Sequence, residues 1–180
     1  SRKEAGKTVK IPDGTNKKAR AQLKKALPKG ALVDRMLKNG HLGHNKYIVH
    51  VDKSNKPKAV LTGSMNWTPT GACTQTNNVI IIDDAAVAAR YKDHWDRLLM
   101  DQAPHQAKKL RDENRVEPPV IKTGTTGTTQ VWFSPNTKQQ NKPKSAATPV
   151  DMQQLFDDLD KAEHGALFLL FNPGKPNFVD

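Results

Sequence analysis

The sequence predicts an α/β fold of alternating helices and strands on three observations. Short β-rich runs stand at 47–51, 59–62 and 78–82, residues 17–27 look helical, and apolar residues recur at helical spacing within 85–100. Proline, glycine and asparagine clusters separate these segments, as connections between packed elements require.

In chain order, residues 17–27 form a helix that Pro28-Lys29-Gly30 terminates, since proline and glycine cannot continue it. Leu32, Met36 and Leu37 mark a shorter apolar helical face, interrupted by Gly40 and Gly43. The period then changes. Tyr47-Ile48-Val49-His50-Val51 is a strand, Asp52 to Pro57 turns the chain, and Ala59-Val60-Leu61-Thr62 returns as its hairpin partner. Asn78-Val79-Ile80-Ile81-Ile82 is apolar on consecutive positions, the pattern of a strand covered on both faces, and is expected at the centre of the sheet.

Asp83-Asp84 offers N-caps for a helix over 85–100, in which Val87, Tyr91, Trp95, Leu98 and Leu99 share a face, so Trp95 is expected in the core. Residues 101–129 contain Pro104, Pro118-Pro119 and Thr123-Gly124-Thr125-Thr126-Gly127, a composition expected of a linker or traverse without packed elements. Val131-Trp132-Phe133 is strand-like, and residues 136–147 are polar and lysine-rich. Thr148-Pro149-Val150-Asp151 reads as N-cap, N1 proline and acidic N3 of a helix running to about Glu163. A buried strand over 165–171 and the turn Asn172-Pro173-Gly174 follow, so strand, helix and strand open a second sheet.

At 180 residues, 36% apolar and 6% aromatic, the chain is one domain or slightly more with a modest core. The single cysteine, Cys73, excludes a disulfide within the chain and is expected as a small buried residue. Apolar runs reach about six residues, far short of the ~20 that span a bilayer, and no charged-then-apolar leader opens the sequence. Lysine and arginine number 29 against 18 acidic residues, a formal charge of +11. The surplus is N-terminal: residues 1–60 hold sixteen basic and four acidic side chains. Such a field concentrates phosphate-bearing partners, nucleic acid or anionic headgroups, although lysines such as Lys17, Lys18, Lys24 and Lys25 also serve simply to solvate a helix face.

The chemically informative stretch is His44-Asn45-Lys46 at the mouth of the first hairpin strand, with Gly63-Ser64-Met65-Asn66 at the end of its partner. Residues at i and i+2 of a strand share a face about 6–7 Å apart, so an imidazole and an ammonium can meet one phosphate. Histidine can attack phosphorus or protonate a leaving oxygen, while Lys46, Ser64 and Asn66 can satisfy nonbridging oxygens as charge develops. Gly63 permits close backbone approach.

These residues resemble the phospholipase D superfamily, whose signature is H-x-K, an aspartate a few residues on, and then G-S-x-N. His44, Lys46, Gly63, Ser64 and Asn66 match it, and the Asn66-Trp67-Thr68 continuation, Gly71 and the Asn78–Asp83 strand look like its bacterial members, cytoplasmic or exported. The resemblance implies a mixed sheet flanked by helices, with two such lobes placing two motifs across one cleft. It also implies a phosphohistidine on one motif, a proton donated by the histidine of the other, and no metal or other cofactor. On that basis residues 1–102 are one lobe, 103–129 a linker or traverse, and 130–180 the beginning of a second lobe.

Three departures stand out. Asp52 lies one residue later than the usual aspartate and is expected to support the turn. Asn77 stands where a glutamate often orients the histidine, with Asn78 beside it as a further supporting residue. No second H-x-K appears: His94, His105 and His164 are followed by Trp95-Asp96, Gln106-Ala107 and Gly165-Ala166. The complementary motif is therefore expected from the same full-length chain beyond Asp180 or from another subunit.

The expectation is a phosphodiester hydrolase whose substrate is a phospholipid or, equally well for the chemistry, a nucleic acid. The competing class is a nucleic-acid or membrane-surface binding protein that keeps the fold without turnover. Weaker candidates are His41-Leu42-Gly43-His44 as half of a metal site, Asn66-Trp67-Thr68 as a glycosylation acceptor, and Trp132 and Phe133 as a base- or lipid-contacting pair.

Overall fold

The computed structural model describes residues 2–4, 7–9, 17–33, 43–101, 107–137 and 148–167. It is α/β. Strands β1 (Arg2–Glu4) and β2 (Lys7–Val9) form an antiparallel hairpin, and α1 (Lys17–Ala26) follows. Next come β3 (Tyr47–Val51), β4 (Pro57–Gly63), the short α2 (Pro69–Cys73), β5 (Val79–Ile82) and α3 (Ala85–Met100). The chain continues through α4 (Ala107–Asn114), the hairpin of β6 (Ile121–Thr123) and β7 (Gly127–Thr129), and α5 (Val150–Asp160). Every ladder among the described residues is antiparallel, so a parallel pair, which a mixed sheet includes, is not among them.

The hairpin and the long helix form where the sequence places them. Tyr47 pairs with Thr62, Val49 with Val60 and His50 with Ala59, with a register shift after His50 that leaves Lys58 as the extra residue of β4. Alternation turns Tyr47, Val49 and Val51 inward and leaves Ile48 and His50 exposed. Asp84 caps α3: its Oδ1 accepts from the Ala86 and Val87 amides at 2.8 and 2.9 Å. Helix α3 packs across β4, and the core gathers Val60, Val87, Ala88, Val131 and Phe133, with Tyr47, Val49, Ile82, Tyr91 and Ile121 against it.

Several expectations are corrected. Among the described residues β5 is not central: the order is β3-β4-β5, and Val79, Ile80 and Ile81 are exposed. Of its apolar run Ile82 packs against the core, while α3 lies chiefly over β4. Trp95 is 47% exposed, whereas His94 beside it is fully buried. The His94 ring stacks on Phe133 at 3.9 Å and 2° between planes, and its Nδ1 lies 3.0 Å from the Tyr47 hydroxyl. A flat ring with a nearby hydroxyl partner thus takes the inward position that hydrophobicity alone assigns to tryptophan. The stretch 101–129, expected to lack packed elements, carries α4 and the β6–β7 hairpin, with Leu110 and Asn114 buried. Residues 131–133 are not a strand, although Val131 and Phe133 are buried.

Pro149, not Thr148, occupies the N-cap of α5, without a side-chain cap bond, and the helix ends at Asp160. Of the expected strand over 165–171, residues 165–167 are irregular and the rest lie outside the described residues. Of the short helical face, Leu32 sits in a bend, while Met36 and Leu37 lie outside the described residues.

Burial raises the Tyr47 phenol from 10.0 to about 12, with Tyr91 a smaller cause. A pKa raised on folding contributes stability that is complete below the unfolded value and is lost as pH rises through the folded one. Unfolding free energy is therefore expected to hold below pH 10 and to fall between 10.0 and about 12. Denaturant titrations across that range check this, and Tyr47→Phe should flatten the alkaline decline while lowering stability below pH 10 by about 1 kcal/mol for the lost hydroxyl contact.

Candidate active site

The two motif halves meet at one end of the β3-β4-β5 sheet. Residues 43–46 run irregularly into β3. The Thr62 hydroxyl donates to the Lys46 carbonyl at 3.3 Å, strapping the H-x-K segment to β4 one residue before Gly63. The Lys46 ammonium turns back and donates to the His44 carbonyl at 2.7 Å, and partial burial holds it below its ordinary lysine value. His44 itself is exposed.

A second set of bonds ties the end of β4 to the start of β5. The Ser64 amide donates to both the carbonyl and Oδ1 of Asn78, at 3.1 and 2.9 Å, while the Asn78 amide donates to Ser64 Oγ at 3.0 Å. Ser64 Oγ donates to Asn77 Oδ1 at 3.1 Å, and the Asn77 amide group donates onward to the Gly71 carbonyl at 2.8 Å. Gly63 adopts φ +147, and a Cβ there would collide with the Asn78 carbonyl oxygen. This is the reason for glycine in G-S-x-N here: β5 passes too close for a side chain.

Asn66 is presented by the connection into α2. Its carbonyl accepts from the Thr68 amide at 2.8 Å, and Thr68 Oγ1 accepts from the Gly71 amide at 3.0 Å, capping α2 with Pro69 at the first helical position. The Asn66 side chain and Trp67, 56% exposed, stand at the surface. His44, Lys46, Ser64 and Asn66 thus share one sheet end, three of them exposed.

Placement refines the roles expected from sequence. The Ser64 proton and one lone pair serve Asn77 and Asn78, so the hydroxyl braces the loop and offers a phosphate only its remaining valence or a rearranged bond. Asn77 is held by Ser64 and Gly71. Asp52 organises the hairpin turn: Oδ1 accepts from the Ser54 and Lys56 amides at 2.8 and 2.9 Å, and Oδ2 lies 3.3 Å from Lys58 Nζ. Cys73 ends α2 and is exposed, correcting the buried expectation. No cluster of three or more potential metal-ligating residues exists among the described residues, and His41 lies outside them.

Sequence reading missed Thr62 and Thr68, which hold the two motif segments; the Thr68-Pro69 pair is a legible helix-start signal. The clefts along α3 and α4 are lined by residues such as Arg97, Leu110 and Glu113 and contain none of the motif residues, which lie on an open surface.

The Lys56 amide chiefly, with the Ser54 amide and Lys58, holds the Asp52 carboxyl below its ordinary value. A depressed carboxylate contributes stability that is present above the unfolded pKa and lost as pH falls through the folded one. Exchange of the Ser54 and Lys56 amides, corrected for intrinsic rates, is expected to accelerate in acid as the carboxylate protonates. Asp52→Asn should remove that acid dependence.

An α/β unit with H-x-K and G-S-x-N joined at one sheet end defines a phospholipase D-type unit of a phosphodiester hydrolase superfamily. Residues 8–99 match the family described as "Cardiolipin synthase, PLD-like domain", and the chain belongs to this family, within the phospholipase D superfamily. The mitochondrial cardiolipin hydrolase of Xenopus tropicalis is 36% identical over 61 residues, covering 34% of this chain and 27% of that protein. The chain therefore matches little more than a quarter of the length of that relative. No solved structure matches. Among the described residues no helix is long and apolar enough to cross a membrane.

Proposed function

We propose that this chain is part of a metal-independent phosphodiesterase acting through a covalent phosphohistidine, with a phospholipid as substrate. The observation that carries the reading is the strap from Thr62 to Lys46, which keeps H-x-K beside G-S-x-N without engaging the His44 ring in that bond. One His44 ring nitrogen attacks phosphorus, the P–O bond to the leaving alcohol breaks, and a second histidine from another motif protonates that oxygen. Water then attacks the phosphohistidine, its proton passing to the second histidine, and the P–N bond breaks. Lys46 and Asn66 hold the nonbridging oxygens in both steps, as preorganised donors do.

The second motif comes from another lobe, in the same full-length chain or in another subunit; the open surface around His44 leaves room for one. With residues 1–102 as the first lobe, 103–129 as the traverse and 130–180 as the start of the second, Val131 and Phe133 lie at the contact between lobes. The phospholipid reading rests on the likeness to a cardiolipin hydrolase.

The test uses the complete gene product, quenched in alkali during turnover of phosphate-labelled diesters to preserve phosphohistidine. The expected result is label on His44 with labelled phospholipid and none in His44→Asn. Transfer of label from DNA alone would replace the lipid reading with a nuclease. Turnover in His44→Asn at the wild-type rate would overturn the mechanism.

A further inference from the structure

Helix α1 has a composition and setting that the active site does not use. From Lys17 to Val33 there is no acidic residue, while Lys17, Lys18, Lys24, Lys25 and Lys29 are all exposed. None of the ten helical residues is buried. At 100° per residue Ala19, Leu23, Ala26 and Leu27 fall within an arc of about 100°, Arg20 borders it, and Lys17, Lys18, Lys24 and Lys25 lie on the opposite side, with Lys29 in the turn beyond Pro28. Leu23 and Leu27 are 43% and 40% exposed, and Val33, beyond the Gly30 turn, is 40% exposed.

A helix this short is marginal in water on propensity alone and ordinarily draws its stability from burying an apolar face. The α1 arc is open, so something outside the described core completes it. We propose that α1 docks on an anionic phospholipid surface, lying in the plane of the interface. Charge complementarity selects this occupant: with the two leucines in the acyl boundary, the long lysine side chains extend back toward the phosphates of the headgroup layer. Nucleic acid would neutralise the lysines but leave Leu23 and Leu27 in water. This docking goes beyond the phosphodiesterase reading and does not depend on it, because it concerns binding rather than turnover.

The experiment is co-sedimentation of the full chain with phosphatidylcholine vesicles, with and without phosphatidylglycerol, together with amide exchange over 17–27. Binding and added protection of those amides are expected only with the anionic vesicles. Lys24→Gln with Lys25→Gln should weaken partitioning roughly thirtyfold, and Leu23→Ser with Leu27→Ser at least about tenfold. Thermal stability should be unchanged in both variants. Three results would overturn the proposal. The variants bind as well as wild type, a single-stranded oligonucleotide protects 17–27 where vesicles do not, or the leucine variant melts lower because the arc packs within this chain.

Discussion

His44→Asn is expected to lower phosphodiester turnover of the complete protein by about 10⁴-fold or more, the scale on which removal of a covalent nucleophile acts. Asparagine is close in size but its amide nitrogen cannot form the P–N bond. The fold should survive, because the ring is exposed and the group bonded to Lys46 is the backbone carbonyl, which every residue has. An unchanged melting temperature alongside lost turnover would separate chemistry from stability. A diester with a good leaving group sharpens the assignment. Were His44 the general acid instead, that substrate would restore much of the rate, since proton donation contributes only about 10²–10⁴-fold and becomes dispensable when the leaving oxygen is already weakly basic. No such rescue is expected.

The largest stability effects are expected at Gly63 and Gly71. A Cβ on Gly71 would collide with the Asn66 carbonyl oxygen and stand 3.0 Å from Thr68 Oγ1, and one on Gly63 would collide with the Asn78 carbonyl and stand 3.0 Å from Val79 Cα. The obstacles include backbone, which cannot swing aside as a flexible side chain does. Alanine at either position should cost about 2–4 kcal/mol and displace the Ser64–Asn66 loop, so activity falls with stability. Gly165 is the internal control. It has the same φ of +147 with nothing within 4 Å, so Gly165→Ala isolates the conformational cost, about 1 kcal/mol, from the collision. Equal losses at Gly63 and Gly165 in denaturant melts would show that β5 can move away and that the close approach is not rigid.

Much of this architecture is legible before any coordinates. The turn residues between 51 and 59 announce the β3–β4 hairpin, Asp84 announces the start of α3, and the spacing of His44, Lys46, Ser64 and Asn66 announces the site. Each depends on neighbours within a few residues or on a motif whose members flank one hairpin. The errors arise where a partner distant in the chain decides. Trp95 and His94 are both compatible with the helical period, and His94 turns inward because Phe133 offers a ring to stack on and Tyr47, 47 residues earlier, a hydroxyl. β5 reads as a central strand because three consecutive isoleucines satisfy that pattern, yet among the described residues it ends the β3-β4-β5 sheet and α3 packs chiefly on β4.

The sequence by itself determined the family signature of this protein: a histidine, a lysine and an asparagine at spacings that the phospholipase D superfamily shares, on a hairpin whose turn and alternation are local properties. Only the tertiary structure decided which of those groups face solvent and which brace the loop. Ser64 illustrates the difference, since a serine in G-S-x-N looks like a phosphate ligand until its proton is found on Asn77 and its lone pair on the Asn78 amide. A hydroxyl has one proton to give, and which acceptor receives it depends on the approach of β5, a distance no local pattern encodes.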